Sequence, residues 1–182
     1  MTTATTTTHA TWGIDPTHTD VAFAVRHMGL STVRGRFERV AGTVETGADG
    51  APTAIRIEIA TGSINTGTKD RDAHLRSADF FDAEANPAIT FVSTEVVSRG
   101  GERFEVRGDL TMRGVTQPVV LDAEIGDAIT DPWGLQRRAA TASGTLNRKA
   151  WGLTWNQILE AGALLVSEEV KLSIDVQVTQ QG

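Results

Sequence analysis

The chain has 182 residues, with 17 basic and 23 acidic side chains and a formal net charge of −6. This length allows one domain with a substantial core. An acidic chain with scattered charges is a poor binder of nucleic acid, because phosphate neutralisation supplies most of that affinity. Cysteine is absent, which excludes disulfides and thiolate metal sites.

The N-terminal segment, residues 1–11, is rich in threonine and lacks the basic and apolar regions of a secretory signal. No run of roughly 18 or more apolar residues indicates a membrane helix. We therefore expect a flexible tail over residues 1–11, a single domain over residues 12–182 and a cytoplasmic location.

Eight segments alternate apolar and polar residues, which predicts strands with one buried and one solvated face. Such strands, joined mostly by tight turns, favour an up-and-down antiparallel barrel or a closely related sandwich. The expected inner rows are Val21, Phe23 and Val25; Val33, Gly35 and Phe37, changing phase to Val40, Gly42 and Val44; Ile55, Ile57 and Ile59; Phe91 within 89–93; Phe104, Val106, Gly108, Leu110 and Met112; Val119, Leu121, Ala123 and Ile125; Ala140, Ala142, Gly144 and Leu146; and Val170, Leu172, Ile174, Val176 and Val178.

Three local signals refine this pattern. The phase change in the second segment predicts a β-bulge near Glu38 and Arg39. Gly100-Gly101 predicts a two-residue hairpin loop. The sequence Asp131-Pro132-Trp133-Gly134 matches a type I turn.

Two connections, residues 62–87 and 147–167, are too long to be turns, and long connections often form functional lids. In the first, Thr68 is a candidate cap for a short helix with Asp70 and Asp72 in its first turn. Both connections are rich in apolar residues, and we expect these to pack at the open end of the barrel: Leu75, Phe80 and Phe81 in the first; Leu153, Ile158, Leu159, Leu164 and Leu165 in the second.

The small inner residues, glycine and alanine, predict a hollow interior that holds a ligand. The alternative is a solid barrel, because strand glycines also mark bends. The assigned inner rows carry no charged side chain deep inside, so the expected ligand is a hydrocarbon chain. An uncompensated carboxylate there would be costly to bury.

No sequence motif for a nucleophilic serine, a phosphate loop or a dinucleotide site is present. His18 and His27 lie at opposite ends of one predicted strand, roughly 30 Å apart, and Asp72 and His74 do not share a helix face. These residues are expected to hold turns and strand ends. The alternatives are a metal site of histidine and carboxylate groups, or contact of a histidine with the polar end of a ligand.

Two basic clusters allow two interpretations. The run Asp70-Arg71-Asp72 is either a solvated helical turn or, with Lys69, places a cation beside a ligand head group. Arg148-Lys149 beside Trp151 is either a strand end with a packing tryptophan or a contact for an anionic or quinone head group.

Four segments, in order, resemble the YceI family of polyisoprenoid-binding proteins and together cover nearly all of the chain from Trp12 to Val178. They are WGIDPTHTDVAFAVRHMGLSTVRGRF, TKDRDAHLRSADFFDAEANPAITFVST, GDLTMRGVTQPVVLDAE and NRKAWGLTWNQILEAGALLVSEEVKLSIDV. The resemblance implies an all-β fold: an eight-stranded, lipocalin-like antiparallel barrel with a hydrophobic lumen and short helical insertions. It implies that residues 12–182 form one YceI-like domain.

The resemblance also implies a ligand, a long isoprenoid lipid such as a polyprenyl quinone or a polyprenyl phosphate, bound for transport or storage, and it allows a homodimer. We predict no catalytic residue, no metal and no catalytic cofactor. The alternatives are a metal-dependent enzyme that acts on an isoprenoid-like substrate through His18, Asp72 or His74, and an interaction module with a solid barrel.

The predicted site has two parts. The lipid-binding residues are Val21, Phe23, Val25, Val33, Phe37, Ile57, Ile59, Phe91, Val106, Gly108, Leu110, Met112, Leu121, Ala123, Leu146, Leu172 and Ile174. The mouth and head-group residues are His27, Arg71, His74, Phe80, Phe81, Arg148, Trp151 and Trp155.

Overall fold

A computed structural model describes residues 9–160 and 162–182. The predicted tail falls mostly outside the described residues, which exclude 1–8. Its last two residues, Ala10 and Thr11, already belong to the first strand. The ordered domain therefore begins before the boundary that the sequence predicts.

The described residues form twelve strands and one α-helix, with three short 3₁₀ helices. The helix α1 is Lys69–Arg76, and the 3₁₀ helices are Pro16–His18, Thr61–Ser63 and Arg148–Trp151. The strands are β1 Ala10–Ile14, β2 Asp20–His27, β3 Ser31–Phe37, β4 Val40–Thr46, β5 Pro52–Ala60, β6 Ile64–Asn65, β7 Ala88–Gly100, β8 Arg103–Met112, β9 Val115–Ile125, β10 Ile129–Thr130, β11 Gln136–Asn147 and β12 Val166–Gln180.

These strands close into an eight-stranded antiparallel barrel, as the sequence predicts. The ring runs β11-β9-β8-β7-β5-β4-β1-β12, and β12 pairs back onto β11. Strands β1 and β2 lie end to end along β12, since Ile14 pairs with Val178 and Val21 pairs with Ile174. Strands β3 and β4 continue one another in the same way, so twelve segments occupy eight positions in the wall.

The phase change in the second predicted strand is a break rather than a bulge. Glu38 and Arg39 separate β3 from β4, and their backbone N–H groups donate to the carbonyl and hydroxyl oxygens of Ser63. Ser63 thus accepts hydrogen bonds from the two backbone N–H groups that the break removes from the sheet. The inner row changes phase at the predicted place because two residues, Glu38 and Arg39, separate the inward-facing Phe37 and Val40.

Two predicted turns can be compared with the structure. In the type I turn, Gly134 N–H donates to the carbonyl of Asp131 at 3.0 Å, as predicted. The β7–β8 hairpin pairs Gly100 with Arg103, so its loop is Gly101-Glu102 and the prediction was one residue early.

Helix α1 begins after Thr68 and carries Asp70 and Asp72 in its first turn, as the sequence predicts. The hydroxyl of Thr68 does not cap the helix and instead accepts a hydrogen bond from Arg71 at 3.0 Å. Asp72 is buried and accepts from the N–H and hydroxyl of Thr66 at 2.8 and 2.6 Å. The solvated-turn interpretation of this charge run is therefore wrong for Asp72.

The barrel has two distinct ends. At the α1 end, both long insertions, the β2–β3 turn and the β8–β9 turn meet; Met28 N–H donates to Leu165, and Arg113 donates to Gly152 and Ala78. At the hairpin end lie the β4–β5, β7–β8 and β10–β11 turns. In the described part of the chain no helix has the length and apolar character needed to cross a membrane.

Candidate functional site

The barrel encloses a cavity of about 600 Å³ that is lined by the inner faces of the strands and by both insertions. This volume is within the range of small-molecule sites, roughly 300–1,000 Å³. A far smaller apolar cavity, about 150 Å³, stays dry and binds benzene in another protein. The cavity is therefore large enough for an apolar guest.

Sixteen of the seventeen predicted lipid-binding residues line the cavity, the exception being Gly108. Period-2 alternation placed them on the inner face, and the strand register brings them together. Their contact with a lipid stays a prediction. The sixteen are Val21, Phe23, Val25, Val33, Phe37, Ile57, Ile59, Phe91, Val106, Leu110, Met112, Leu121, Ala123, Leu146, Leu172 and Ile174.

Gly108 does not open space in the cavity, because large side chains cover this and other strand glycines. A Cβ on Gly108 would meet the ring of Phe91, and one on Gly35 would meet the ring of Phe23. The prediction that glycines leave the interior hollow is therefore wrong. Alanines leave room instead, since Ala123 pairs directly with Ala142 across β9 and β11, and both line the cavity.

An aromatic cluster lies at the α1 end and is formed by His74, Phe80 and Trp155, all of which line the cavity. The ring centroids are 5.1 Å apart for His74 and Phe80, 4.7 Å for His74 and Trp155, and 5.2 Å for Phe80 and Trp155. Both histidine contacts are edge to face, a favourable aromatic arrangement. His74 Nε2 also lies 2.8 Å from Asp79 Oδ2, and this hydrogen bond orients the His74 ring.

Arg148 is buried at the same end, with 6% of its surface exposed, and its side chain lines the cavity. Its Nε donates to Ser167 O at 3.0 Å and its Nη1 to Leu153 O at 2.6 Å, while Nη2 is 3.5 Å from Val166 O. Burial lowers the pKa of the Arg148 guanidinium from its ordinary value, because desolvation disfavours the charged form.

The remaining predicted mouth residues divide into two groups. His27, Arg71 and Phe81 line the cavity, as the prediction requires. Trp151 does not: it is buried, and its indole N–H donates to Leu110 O at 2.9 Å. Trp151 therefore connects the second insertion to β8 through a hydrogen bond. The assignment of Trp151 to the mouth is wrong.

Fewer of the apolar side chains in the two insertions pack on the end of the barrel than the sequence predicts. Phe80 and Leu153 are buried, and Leu75 and Phe81 pack against the core. Ile158 and Leu164, by contrast, are 77% and 39% exposed. They form an isolated antiparallel bridge with each other.

Trp12 and Arg138 line the cavity at its hairpin end, and sequence reasoning missed both. Trp12 Nε1 donates to Thr46 Oγ1 at 3.1 Å, and the Arg138 guanidinium carbon lies 5.8 Å from the Trp12 ring centroid. Arg138 also donates to Gly126 O at 2.9 Å and Gly50 O at 2.5 Å.

Arg138 is a charged lining residue that the assigned inner rows left out, and it lies at the hairpin end rather than deep inside the barrel. It lies two residues before Ala140 and so belongs to the same inner row, a signal that the sequence contained. Trp12 and Ile14 alternate with Gly13 in a strand of five residues, which is too short for periodicity to stand out.

The residues proposed for metal-dependent catalysis are not assembled into one site. His18 contacts Asp15, with Nδ1 and Oδ2 3.0 Å apart, near the hairpin end. Asp72 is bonded to Thr66, and His74 to Asp79, at the α1 end. Across residues 9–160 and 162–182, no group of three or more histidine, cysteine, aspartate or glutamate side chains converges as a metal site would require.

The family model of the YceI-like domain matches residues 12–178, nearly the whole barrel. The chain belongs to the YceI-like family.

A curated relative and two solved structures support this assignment. A UPF0312 protein of Pectobacterium carotovorum is 37% identical over 166 residues, which cover 90% of this YceI-like chain and 82% of the relative. BcnA of Burkholderia cenocepacia has a TM-score of 0.78 at 19% identity, covering 90% of this chain and 98% of BcnA. A polyisoprenoid-binding domain from Saccharophagus degradans has a TM-score of 0.65 at 16% identity, with 92% and 97% covered. At these identities, the two structures establish a shared fold.

Proposed function

We propose that this YceI-like chain binds a long-chain isoprenoid lipid, with the hydrocarbon tail inside the barrel. The observation that carries the proposal is the apolar cavity of about 600 Å³. Its lining at mid-barrel consists of aliphatic and aromatic side chains such as Phe91, Val106 and Leu121. A flexible, branched hydrocarbon suits such a lining because it needs no fixed polar partner.

Burial of the tail supplies enough free energy for tight binding. Each buried CH₂ group contributes about 0.8 kcal/mol, so each five-carbon unit contributes roughly 3–4 kcal/mol. The burial of several units therefore contributes more free energy than immobilising the ligand costs, which is about 4–15 kcal/mol. Affinity therefore follows from the lining alone.

The shared fold of the Saccharophagus degradans polyisoprenoid-binding domain supports the same ligand class. We propose a non-catalytic role in lipid transport or storage, with the aromatic cluster and the two insertions at the entrance to the cavity. A polyprenyl quinone and a polyprenyl phosphate both satisfy the tail requirement. The homodimer and the cytoplasmic location stay predictions.

Substitution of Ala123 by tryptophan tests the internal site. Ala123 is buried, lines the cavity and pairs with Ala142, so a tryptophan there has room to extend into the cavity and displace a tail. We expect Ala123→Trp to lower the affinity for a long polyprenol by about tenfold or more, since each lost CH₂ contact costs about 0.8 kcal/mol. A titration in which the polyprenol displaces an apolar fluorescent dye measures this affinity.

Val120→Trp is the matched control, because Val120 lies on the outer face of the same strand and is 54% exposed. Circular dichroism checks that both variants keep the barrel. Equal polyprenol affinity for the parent, Ala123→Trp and Val120→Trp would contradict an internal site.

A further inference from the structure

Resting on the proposed function, we infer that the α1 end of the cavity is an anion subsite for the phosphate group of a phosphorylated isoprenoid lipid. Arg148 and Arg71 form it, one from each long insertion, around the aromatic cluster of His74, Phe80 and Trp155. The subsite selects among isoprenoid lipids by charge.

The cavity lining differs in charge from the rest of the chain. The sequence has more acidic than basic residues, 23 against 17. Yet the ionisable side chains among the described residues that line the cavity are all basic: His27, Arg71, His74, Arg138 and Arg148. A potential of one sign inside a low-dielectric cavity attracts a ligand of the opposite sign.

Arg148 has hydrogen-bonding capacity that its protein partners do not use. Its guanidinium has five N–H donors, while its partners among residues 9–160 and 162–182 are three backbone carbonyls, one of them 3.5 Å away. Glu168, the carboxylate whose charge favours the protonated Arg148, is paired with Lys149 at 3.1 Å. A buried cation without a carboxylate partner is costly, and a bound anion would offset that cost.

Arg71 supplies the second cation from α1. Its Nε and Nη2 donate to Thr66 and Thr68 at 2.7 to 3.0 Å, and within the described ranges it has no ion pair with a carboxylate. Arg71 and His74 are three residues apart on α1, so they share a helix face.

The aromatic cluster connects the two arginines. The Arg148 guanidinium carbon lies 6.0 Å from the ring centroid of Phe80, whose ring contacts that of His74. Arg148 and the Arg71–His74 face therefore approach one cluster at the end of an apolar cavity. A single guanidinium can bind a phosphate through two parallel hydrogen bonds, and the tail would extend from there along the strands.

Equilibrium titration with octaprenyl phosphate, octaprenol and an octaprenyl quinone tests the inference, because the tails are equal and only the head groups differ. The parent protein is expected to bind the phosphate at least about tenfold more tightly than the alcohol or the quinone, the effect of a charge-assisted hydrogen bond. Arg148→Met is expected to remove most of this preference.

Arg76→Met is the matched control. In the described part of the chain, Arg76 also donates only to backbone carbonyls, those of Gly62 and Ile64, but it does not line the cavity. This variant should keep the preference for the phosphate. Arg148 also holds the second insertion. If Arg148→Met fails to fold, Arg71→Met decides the outcome, and it is expected to reduce the preference by about threefold or more.

The outcomes separate the two proposals. Equal affinity for the three lipids, or a preference that survives both Arg148→Met and Arg71→Met, overturns the anion subsite while lipid binding stands. Displacement of octaprenyl phosphate by an equal concentration of inorganic phosphate also overturns it, because the site would then bind free phosphate. Failure to bind any of the three lipids overturns the proposed function itself.

Discussion

At the scale of single residues, pairs of a glycine and a large neighbour shape the barrel interior. Phe91 covers Gly108, Phe23 covers Gly35, and Leu121 covers Gly144. In each pair the missing Cβ leaves space for a side chain of a neighbouring strand to lie flat against the wall. These glycines allow a large residue to line the cavity without filling it.

We predict that Gly108→Ala destabilises the barrel by about 1–3 kcal/mol, the usual cost of overpacking. The new Cβ would lie 2.6 Å from the backbone oxygen of Val92 as well as against the Phe91 ring, and the backbone oxygen cannot move aside as a side chain can. The free energy of unfolding in urea measures the effect.

Gly144→Ala provides the comparison. Its Cβ would meet the end of the Leu121 side chain at 2.6 Å, while the nearest backbone oxygen, that of Val120, is 3.3 Å away. Because leucine can change rotamer, this variant should be destabilised less than Gly108→Ala. Equal losses, or a greater loss for Gly144→Ala, would contradict the role assigned to the backbone contact.

Alternation along the sequence predicted most lining residues because each strand has one buried face, which fixes the side of every residue. It did not predict what covers a glycine, since that depends on the register between strands. Nor did it identify the inner position of Arg138, because a charged residue in a weakly apolar segment reads as solvent-facing. Trp151 illustrates the same limit: its burial was foreseeable, but its bond to Leu110 depends on how the insertion folds back.

At the scale of elements, a network of charges ties three segments together at the hairpin end. Arg137 on β11 donates to Asp131 in the β10–β11 turn at 2.6 Å and to Asp15 before β2 at 2.9 Å. Hydrogen bonds from Thr17 and His18, followed by that from Arg137, hold the pKa of Asp15 well below its ordinary value of 3.8. The network fixes the junction of β1 and β2 against β11.

This lowered pKa predicts a pH-dependent effect of Asp15→Asn. A carboxylate whose pKa is lower in the folded than in the unfolded chain adds stability above the unfolded pKa, and that stability is lost as the pH falls. We expect Asp15→Asn to cost about 1 kcal/mol at pH 7. The difference from the parent should shrink once the pH falls below about 4.

Urea unfolding at several pH values measures this difference. Asp109→Asn, at an exposed position on β8, is the control and should have little effect at any pH. A loss for Asp15→Asn that is equally large at pH 7 and pH 3 would show that the charge of Asp15 is not what matters.

Elements were predictable where local signals agreed. The start of α1 followed from Thr68 and the acidic residues after it, and the type I turn followed from its proline and glycine. The two-residue strands β6 and β10 were not predictable, because so few residues carry no periodicity. Their pairing with β3 and β11 depends on the tertiary fold.

At the scale of the whole molecule, the pairing of β12 with β11 closes the sheet into a barrel around an internal cavity. An eight-stranded barrel can be filled by its own side chains or hold one small ligand, and facing alanines such as Ala123 and Ala142 favour the second outcome here. Trp12 and Arg138 line the cavity at the hairpin end, whereas Arg71, His74 and Arg148 line it at the α1 end. The α1 end therefore carries more basic side chains than the hairpin end, an asymmetry that suits a ligand with one polar end.

Mass spectrometry of an organic extract of the protein, purified without detergent, shows whether a lipid occupies the barrel. We expect a long-chain isoprenoid lipid in the extract of the parent protein, in an amount close to one molecule per chain, and its loss from the extract of Ala123→Trp. An extract of the parent that contains no isoprenoid lipid, or equal amounts from the parent and Ala123→Trp, would contradict a lipid held inside the barrel.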